Sequence, residues 1–89
     1  MKQLETLRNR IDNIDNNILT LLAQRFEVST QIGVLKQKKQ LKLTDKKREA
    51  EIFKRLLAMS KNTSLNPMLV KKIFRSIIDE VIKNHKNIT

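Results

Sequence analysis

Apolar side chains recur along the first third of the chain with a helical period. Leu4, Leu7, Ile11, Ile14, Ile18, Leu21, Arg25, Val28, Ile32 and Leu35 follow one another at alternating steps of three and four. That is the a/d seam of a heptad repeat, sustained for more than four heptads and interrupted by one charged residue, Arg25. No proline falls inside it, and its one glycine, Gly33, lies near its end. The spacing predicts a helix over roughly residues 3–38, about 54 Å long at 1.5 Å per residue. A compact domain of 89 residues has a radius of gyration of only about 12 Å. One chain cannot wrap that rod. Its far half must be buried against something else, most simply a second copy of the chain.

After Leu35 the pattern loosens through a lysine-rich stretch to Thr44-Asp45, a helix-start signal. A second helix is predicted from about Lys46 to Ser60, with Ile52, Phe53, Leu56 and Leu57 facing inward. Residues 61–66 read as a turn, and Asn66 before Pro67 is a cap and first-position pair. A third helix follows, its apolar stripe made of Val70, Ile73, Phe74, Ile77, Ile78, Val81 and Ile82. No stretch of useful length alternates with period two. The expected architecture is all-α, three helices in a single domain over residues 1–89, without repeats and with a tail limited to the last few residues.

Composition narrows the chemistry. The lack of cysteine removes disulfides and thiolate metal sites together, and the lone His85 cannot build a histidine cluster, so no metal is expected. The opening MKQLETLRNR turns charged and amphipathic at once, with no apolar h-region, and no apolar run approaches a membrane span. A cytoplasmic protein without a membrane partner is the expectation. The net charge of +10 is uneven: residues 1–35 balance at four basic and four acidic, whereas residues 36–55 carry nine against three. Such a bias points to an anionic partner.

The seam itself supplies the first candidate. A guanidinium at Arg25 must meet an anion, water or an acidic partner if it is buried, although a polar seam residue can also act as a registry device. Lys36 lies eleven residues later, only ~20° around the helix axis from Arg25, so both cations, with Ser29 and Ile32 between them, can line one elongated anionic pocket. Arg8, seventeen residues before Arg25, is ~260° around the axis and faces elsewhere. It cannot join that pocket within one chain but could serve the pocket of an antiparallel partner. Asp45, Arg48 and Glu49 cluster where the second helix begins, which suits a simple acidic cap. Glu49, four residues before Phe53, nevertheless falls on the buried face. His85 continues the apolar stripe of the third helix one turn beyond Val81, where it could merely complement the helix dipole.

Together these positions resemble the all-helical chorismate mutase family, in the small bacterial form that includes the N-terminal mutase domain of bifunctional prephenate-forming proteins. Leu7-Arg8-Asn-Arg-Ile11-Asp12-Asn-Ile14-Asp15 is similar to the family's opening. Leu22-Ala23-Gln24-Arg25 with Ile32-Gly33-Val-Leu-Lys36 resembles its central signature, and Asp45-Lys-Lys-Arg48-Glu49 its second-helix signature. The resemblance covers nearly the whole chain without a gap. It implies an intertwined homodimer whose two sites are each completed by Arg8 from the other subunit. The implied reaction is the Claisen rearrangement of chorismate to prephenate, a step toward the aromatic amino acids, with no cofactor. By that pattern Arg8 and Arg25 grip the substrate carboxylates with Arg48 nearby, Lys36 donates to the ether oxygen, and Asp45 and Glu49 hold the ring-hydroxyl region. The chemistry of a flexible dianion agrees: it must be clamped in a reactive conformer while charge builds on the breaking ether oxygen, and fixed cations do both.

Two positions depart from the family pattern. Val81 stands where a small hydroxyl residue is usual, and a valine cannot donate. His85 stands where glutamine or glutamate is usual; it can donate in either protonation state with the right tautomer, and better as a cation, which makes it a candidate catalytic residue. Three other readings compete. The related isochorismate–pyruvate lyase shares the arginine and lysine scaffold, but the intact Asp45, Arg48 and Glu49 cluster favours the mutase. A basic module for nucleic acid fits the charge, yet three phenylalanines are the only aromatics, no helix-turn-helix pattern occurs, and a seam arginine does not serve phosphate contacts. A non-catalytic or regulatory helical dimer is the third.

Overall fold

The computed structural model describes residues 1–87, so the expected C-terminal tail lies partly outside the described residues. Three helices account for the fold: α1 (Lys2–Lys38), α2 (Lys46–Ser60) and α3 (Pro67–Lys86). Among the described residues there is no strand. None of the helices is long and apolar enough to cross a membrane.

Local chemistry explains the boundaries. α1 starts at the chain's second residue without a side-chain cap, and α2 and α3 are capped as the sequence predicts. The Asp45 carboxylate accepts from the Arg48 backbone N–H at 3.0 Å, and the Asn66 side chain accepts from Met68 N–H at 2.8 Å. The end of α1 has no comparable signal. There Gln40 adopts φ 55°, Leu41 N–H donates to Lys36 O at 2.8 Å, and Gln40 N–H donates to Gln37 O at 3.1 Å. These are the two bonds of a Schellman termination, normally built on glycine because a Cβ disfavours the left-handed region. The turn directs residues 41–45 back across the end of α1. It also brings the Leu43 carbonyl to 3.3 Å from Lys36 Nζ, which donates to it.

α3 is the shared element. It packs on α2 and on the C-terminal half of α1, whereas α1 and α2 make no close backbone approach to each other. Ile52, Val70 and Ile78 are buried between them. Gly33 is the one buried residue of α1, and its missing side chain allows a neighbouring backbone to come near. Ser29, one turn earlier, meets His85 of α3. Ile73, expected inward, is 48% exposed because it lies on the flank of the α3 stripe that neither helix covers.

Among the described residues the N-terminal half of α1 has no packing partner. Ile11, Ile14, Ile18 and Leu21, all seam positions, are each more than half exposed. The longest dimension is 57 Å and the radius of gyration 16.6 Å, against about 12 Å for a compact chain of this length. Accessible surface totals 7647 Å² for a chain of 10.5 kDa, where a compact monomer exposes about 5,400 Å². The excess of roughly 2,200 Å² equals one protomer's share of a large obligate interface.

Relieving the left-handed residue at the end of α1 is a direct check on this geometry. Gln40→Gly is expected to raise unfolding stability by about 0.5–1 kcal/mol, measured by urea titration at fixed protein concentration. A loss of stability would show that Gln40 is not held at positive φ.

Candidate active site

The second half of α1, the first turn of α2 with the linker before it, and the last turns of α3 enclose a cleft of about 470 Å³. Arg25, Lys36, Asp45, Arg48, Glu49 and His85 all line it, and Val81 does too. The helical phase that puts Lys36 nearly above Arg25 accounts for the α1 wall, with Val28, Ser29 and Ile32 between them. Apolar Ile52, Ile78 and Ile82, with Leu21 and Leu43, lower the dielectric of the remaining lining. Arg8 is not part of the cleft; it is exposed on α1, about 25 Å along the axis from Arg25.

Charge around the cleft is unbalanced. Arg25 is half-buried and makes no hydrogen bond or ion pair among the described residues. Burial pushes its guanidinium below its ordinary value, and the like charges of Arg48 and Arg55 push the same way. It remains a cation, as arginines in proteins do. Arg48 pairs only loosely with Glu51, at 3.6 Å with both side chains more than half exposed, a contact worth little in water. Lys36 is held by one neutral acceptor, the Leu43 carbonyl, leaving ammonium protons for a ligand.

The two acids of the cleft are already engaged. Asp45 gives one oxygen to the cap of α2, so the cap role and a place on the cleft wall coexist. Glu49 is buried, and its Oε1 accepts from Arg75 Nη2 at 3.0 Å. Sequence reasoning missed Arg75. The available signal was that a carboxylate on a buried helix face requires a cation, and Arg75 is the only arginine of α3.

His85 has a more specific arrangement than the sequence suggests. It is 4% exposed, and its Nε2 lies 2.9 Å from the Ser29 carbonyl oxygen. A carbonyl only accepts, so Nε2 carries the hydrogen and donates. Ser29 Oγ, at 3.4 Å from the same nitrogen, is a weaker second contact. Nδ1 is buried with no partner among the described residues. The neutral ring has therefore spent its donor on the α1 backbone, and only the imidazolium has an N–H left to offer at Nδ1. The expectation that either protonation state could donate narrows to one.

Comparison with known proteins follows the same residues. The family model described as chorismate mutase type II matches residues 7–86. A bifunctional chorismate mutase/prephenate dehydratase of Aquifex aeolicus (strain VF5) is 35% identical over 91 residues, covering 99% of this chain and 25% of that protein. The protein of the same description from Buchnera aphidicola subsp. Schizaphis graminum is 32% identical over 85 residues, covering 96% of this chain and 22% of that protein. A chorismate mutase of Methanocaldococcus jannaschii is 29% identical over 79 residues, covering 89% of this chain and 80% of that protein. The chain thus spans about a quarter of the length of these bifunctional relatives. Because the matched segment, from Leu7 to Lys86, takes in every wall of the cleft, the chain belongs to the chorismate mutase type II family.

Proposed function

We propose that this chain is an isomerase that rearranges chorismate to prephenate without a cofactor, working as a homodimer in which each cleft is completed by the partner subunit's Arg8. The observation that carries the reading is Arg25, a half-buried guanidinium without an anion, sharing one cleft with Lys36 and Arg48. Such a cluster is unfavourable when empty and favourable around a dianion. The relatives, a chorismate mutase and bifunctional chorismate mutase/prephenate dehydratases, support the same substrate. The exposed apolar seam of α1 and the excess surface support a second copy as its cover.

The reaction is intramolecular. The ether C–O bond breaks while a C–C bond forms, no group leaves, and no nucleophile is needed. Arg25 and the partner subunit's Arg8 hold the two carboxylates, since a planar guanidinium matches a carboxylate with two hydrogen bonds. This restricts a flexible substrate to its reactive conformer. Lys36 places a compact positive charge at the ether oxygen, where negative charge grows in the transition state. Arg48 adds a further cation on the carboxylate side, while Asp45 and Glu49 accept from the ring hydroxyl. His85, anchored through Nε2, has a second donor at Nδ1 only when protonated, and offers it to the ether oxygen once the ring turns that buried atom toward the substrate. Val81 leaves one wall without the hydroxyl donor usual in the family.

The decisive assay follows chorismate loss by ultraviolet absorbance, with prephenate confirmed as product. Arg25→Ala is expected to reduce kcat/KM by a factor of about 10²–10³ or more while helix content is retained. An Arg25→Ala protein as active as the parent would sink the reading, and turnover of isochorismate to salicylate and pyruvate instead would replace it with the lyase.

Subunit sharing has its own signature. Arg8→Ala and Arg25→Ala proteins, each inactive alone, are unfolded together and refolded as a mixture. Mixed dimers then hold one intact and one doubly damaged cleft, so about a quarter of parental activity should return. No recovery, with subunit exchange verified, would contradict an Arg8 supplied in trans.

The role of His85 predicts a pH dependence of definite sign. A donor that exists only in the protonated ring contributes at low pH and is lost as pH rises. kcat/KM should therefore climb as pH falls and the ring takes up its second proton. His85→Gln should flatten that slope. A flat profile in both proteins would remove His85 from the reaction.

A further inference from the structure

Beyond the cleft wall, Arg75 is set in a way that packing alone does not require. Its Nε donates to Asp79 Oδ1 at 2.9 Å, one turn further along α3, and Nη2 forms an ion pair with the same oxygen at 2.8 Å. Its guanidinium carbon lies 5.6 Å from the centre of the Phe53 ring on α2. A hydrogen bond, an ion pair and an aromatic face together fix the plane of a group that would otherwise sample many rotamers. The remaining use of Nη2 is the 3.0 Å bond to Glu49 Oε1 across the α2–α3 interface.

The two ends of that bond differ in exposure. The Arg75 side chain is 43% exposed, whereas that of Glu49 is only 11% exposed. A surface ion pair of this kind contributes little by itself, but a buried carboxylate without its cation is strongly unfavourable. The bond therefore matters chiefly to Glu49. It consumes Oε1 and leaves Oε2 without a hydrogen bond among the described residues. Glu49 lines the cleft and Arg75 does not. The hydrogen bond that Arg75 donates to Glu49 is also the largest reason that its guanidinium is raised above its ordinary value.

We propose that Arg75 is a positioning residue: anchored by Asp79 and Phe53, it fixes Glu49 as a charged acceptor with one oxygen presented to the ring hydroxyl of the substrate. This inference rests on the mutase reading and on Glu49 as a substrate contact. It adds a residue outside the cleft to the set that determines substrate affinity. Because a fixed acceptor binds ground and transition states alike, its loss shows mainly in KM.

The test compares chorismate kinetics of the parent chain, Arg75→Gln, Arg75→Lys, Glu49→Gln and the Arg75→Gln/Glu49→Gln double variant, with thermal melting recorded for each. Arg75→Gln is expected to lower kcat/KM about tenfold, the scale of one charge-assisted hydrogen bond, chiefly through a higher KM. Arg75→Lys should recover part of the loss, and the double variant should be no worse than Glu49→Gln alone. A structural staple would behave otherwise, cutting activity equally with and without the Glu49 carboxylate; that result, or unchanged kinetics in Arg75→Gln, overturns the proposal. If Arg75→Gln fails to fold, Asp79→Asn carries the same comparison: it removes the charged anchor of Arg75 and slackens its hold on Glu49, so KM should rise, by less than in Arg75→Gln, and only while the Glu49 carboxylate is present. A parent chain that does not turn over chorismate defeats the mutase reading itself. Normal parental turnover with unaffected Arg75 variants defeats this inference alone.

Discussion

Moving a guanidinium from water onto a half-buried, largely apolar wall is unfavourable unless an anion meets it, and Arg25 stands in that position unpaired. Its surroundings increase the demand. Arg48 and Arg55 repel it, and Lys36 lies along the same helical stripe. Both acids that could have neutralised the cluster are committed elsewhere, Asp45 to the cap of α2 and Glu49 to Arg75. A site held in this unsatisfied state favours a ligand carrying more than one negative charge. In the proposed reaction the same arrangement supplies the catalytic field, since cations fixed before the substrate arrives need no reorganisation when charge moves in the transition state.

Much of the fold was legible because it depends on local signals. Heptad spacing marked α1, Asp45 marked the start of α2, and the Asn66-Pro67 pair marked α3, each at the position observed. The termination of α1 was not legible. It is built on Gln40 at positive φ where glycine is the usual cue, and nothing in the residue type announces it. Ile73 shows a different limit, because periodicity defines an apolar stripe but not which of its flanks a neighbour will cover. The cleft was legible from α1 and α2, where phase and spacing along single helices suffice. Arg75 and the Ser29–His85 bond were not, because both join residues far apart in sequence and depend on how α3 docks.

That docking gives α3 two separate roles. Through Arg75 and Phe53 it is fastened to α2, and through His85 it is fastened to the α1 backbone. The second connection closes a far longer segment of chain, 56 residues against 26. Loop-closure entropy nevertheless grows slowly, so the longer closure costs only about 0.7 kcal/mol more. Sequence distance is therefore a minor obstacle to assembling a cleft from all three helices. The more demanding condition is placement of a buried imidazole whose Nδ1 has no partner, a cost of about 1–3 kcal/mol for one unsatisfied group.

An unbroken α1 also works as a ruler. Arg8 and Arg25 are carried on one continuous run of helical hydrogen bonds with no proline between them, so their separation of about 25 Å is fixed by helical rise rather than by side-chain packing. In the proposed dimer this makes the spacing between the two clefts a property of backbone geometry. Substitutions on the seam can weaken the interface without changing that spacing. A single-residue insertion between the two arginines would rotate one relative to the other by about 100° and put both clefts out of phase together. Removal of seven residues would keep the phase while drawing the arginines about 10 Å closer. The length of this segment is therefore under tighter constraint than most of its individual side chains.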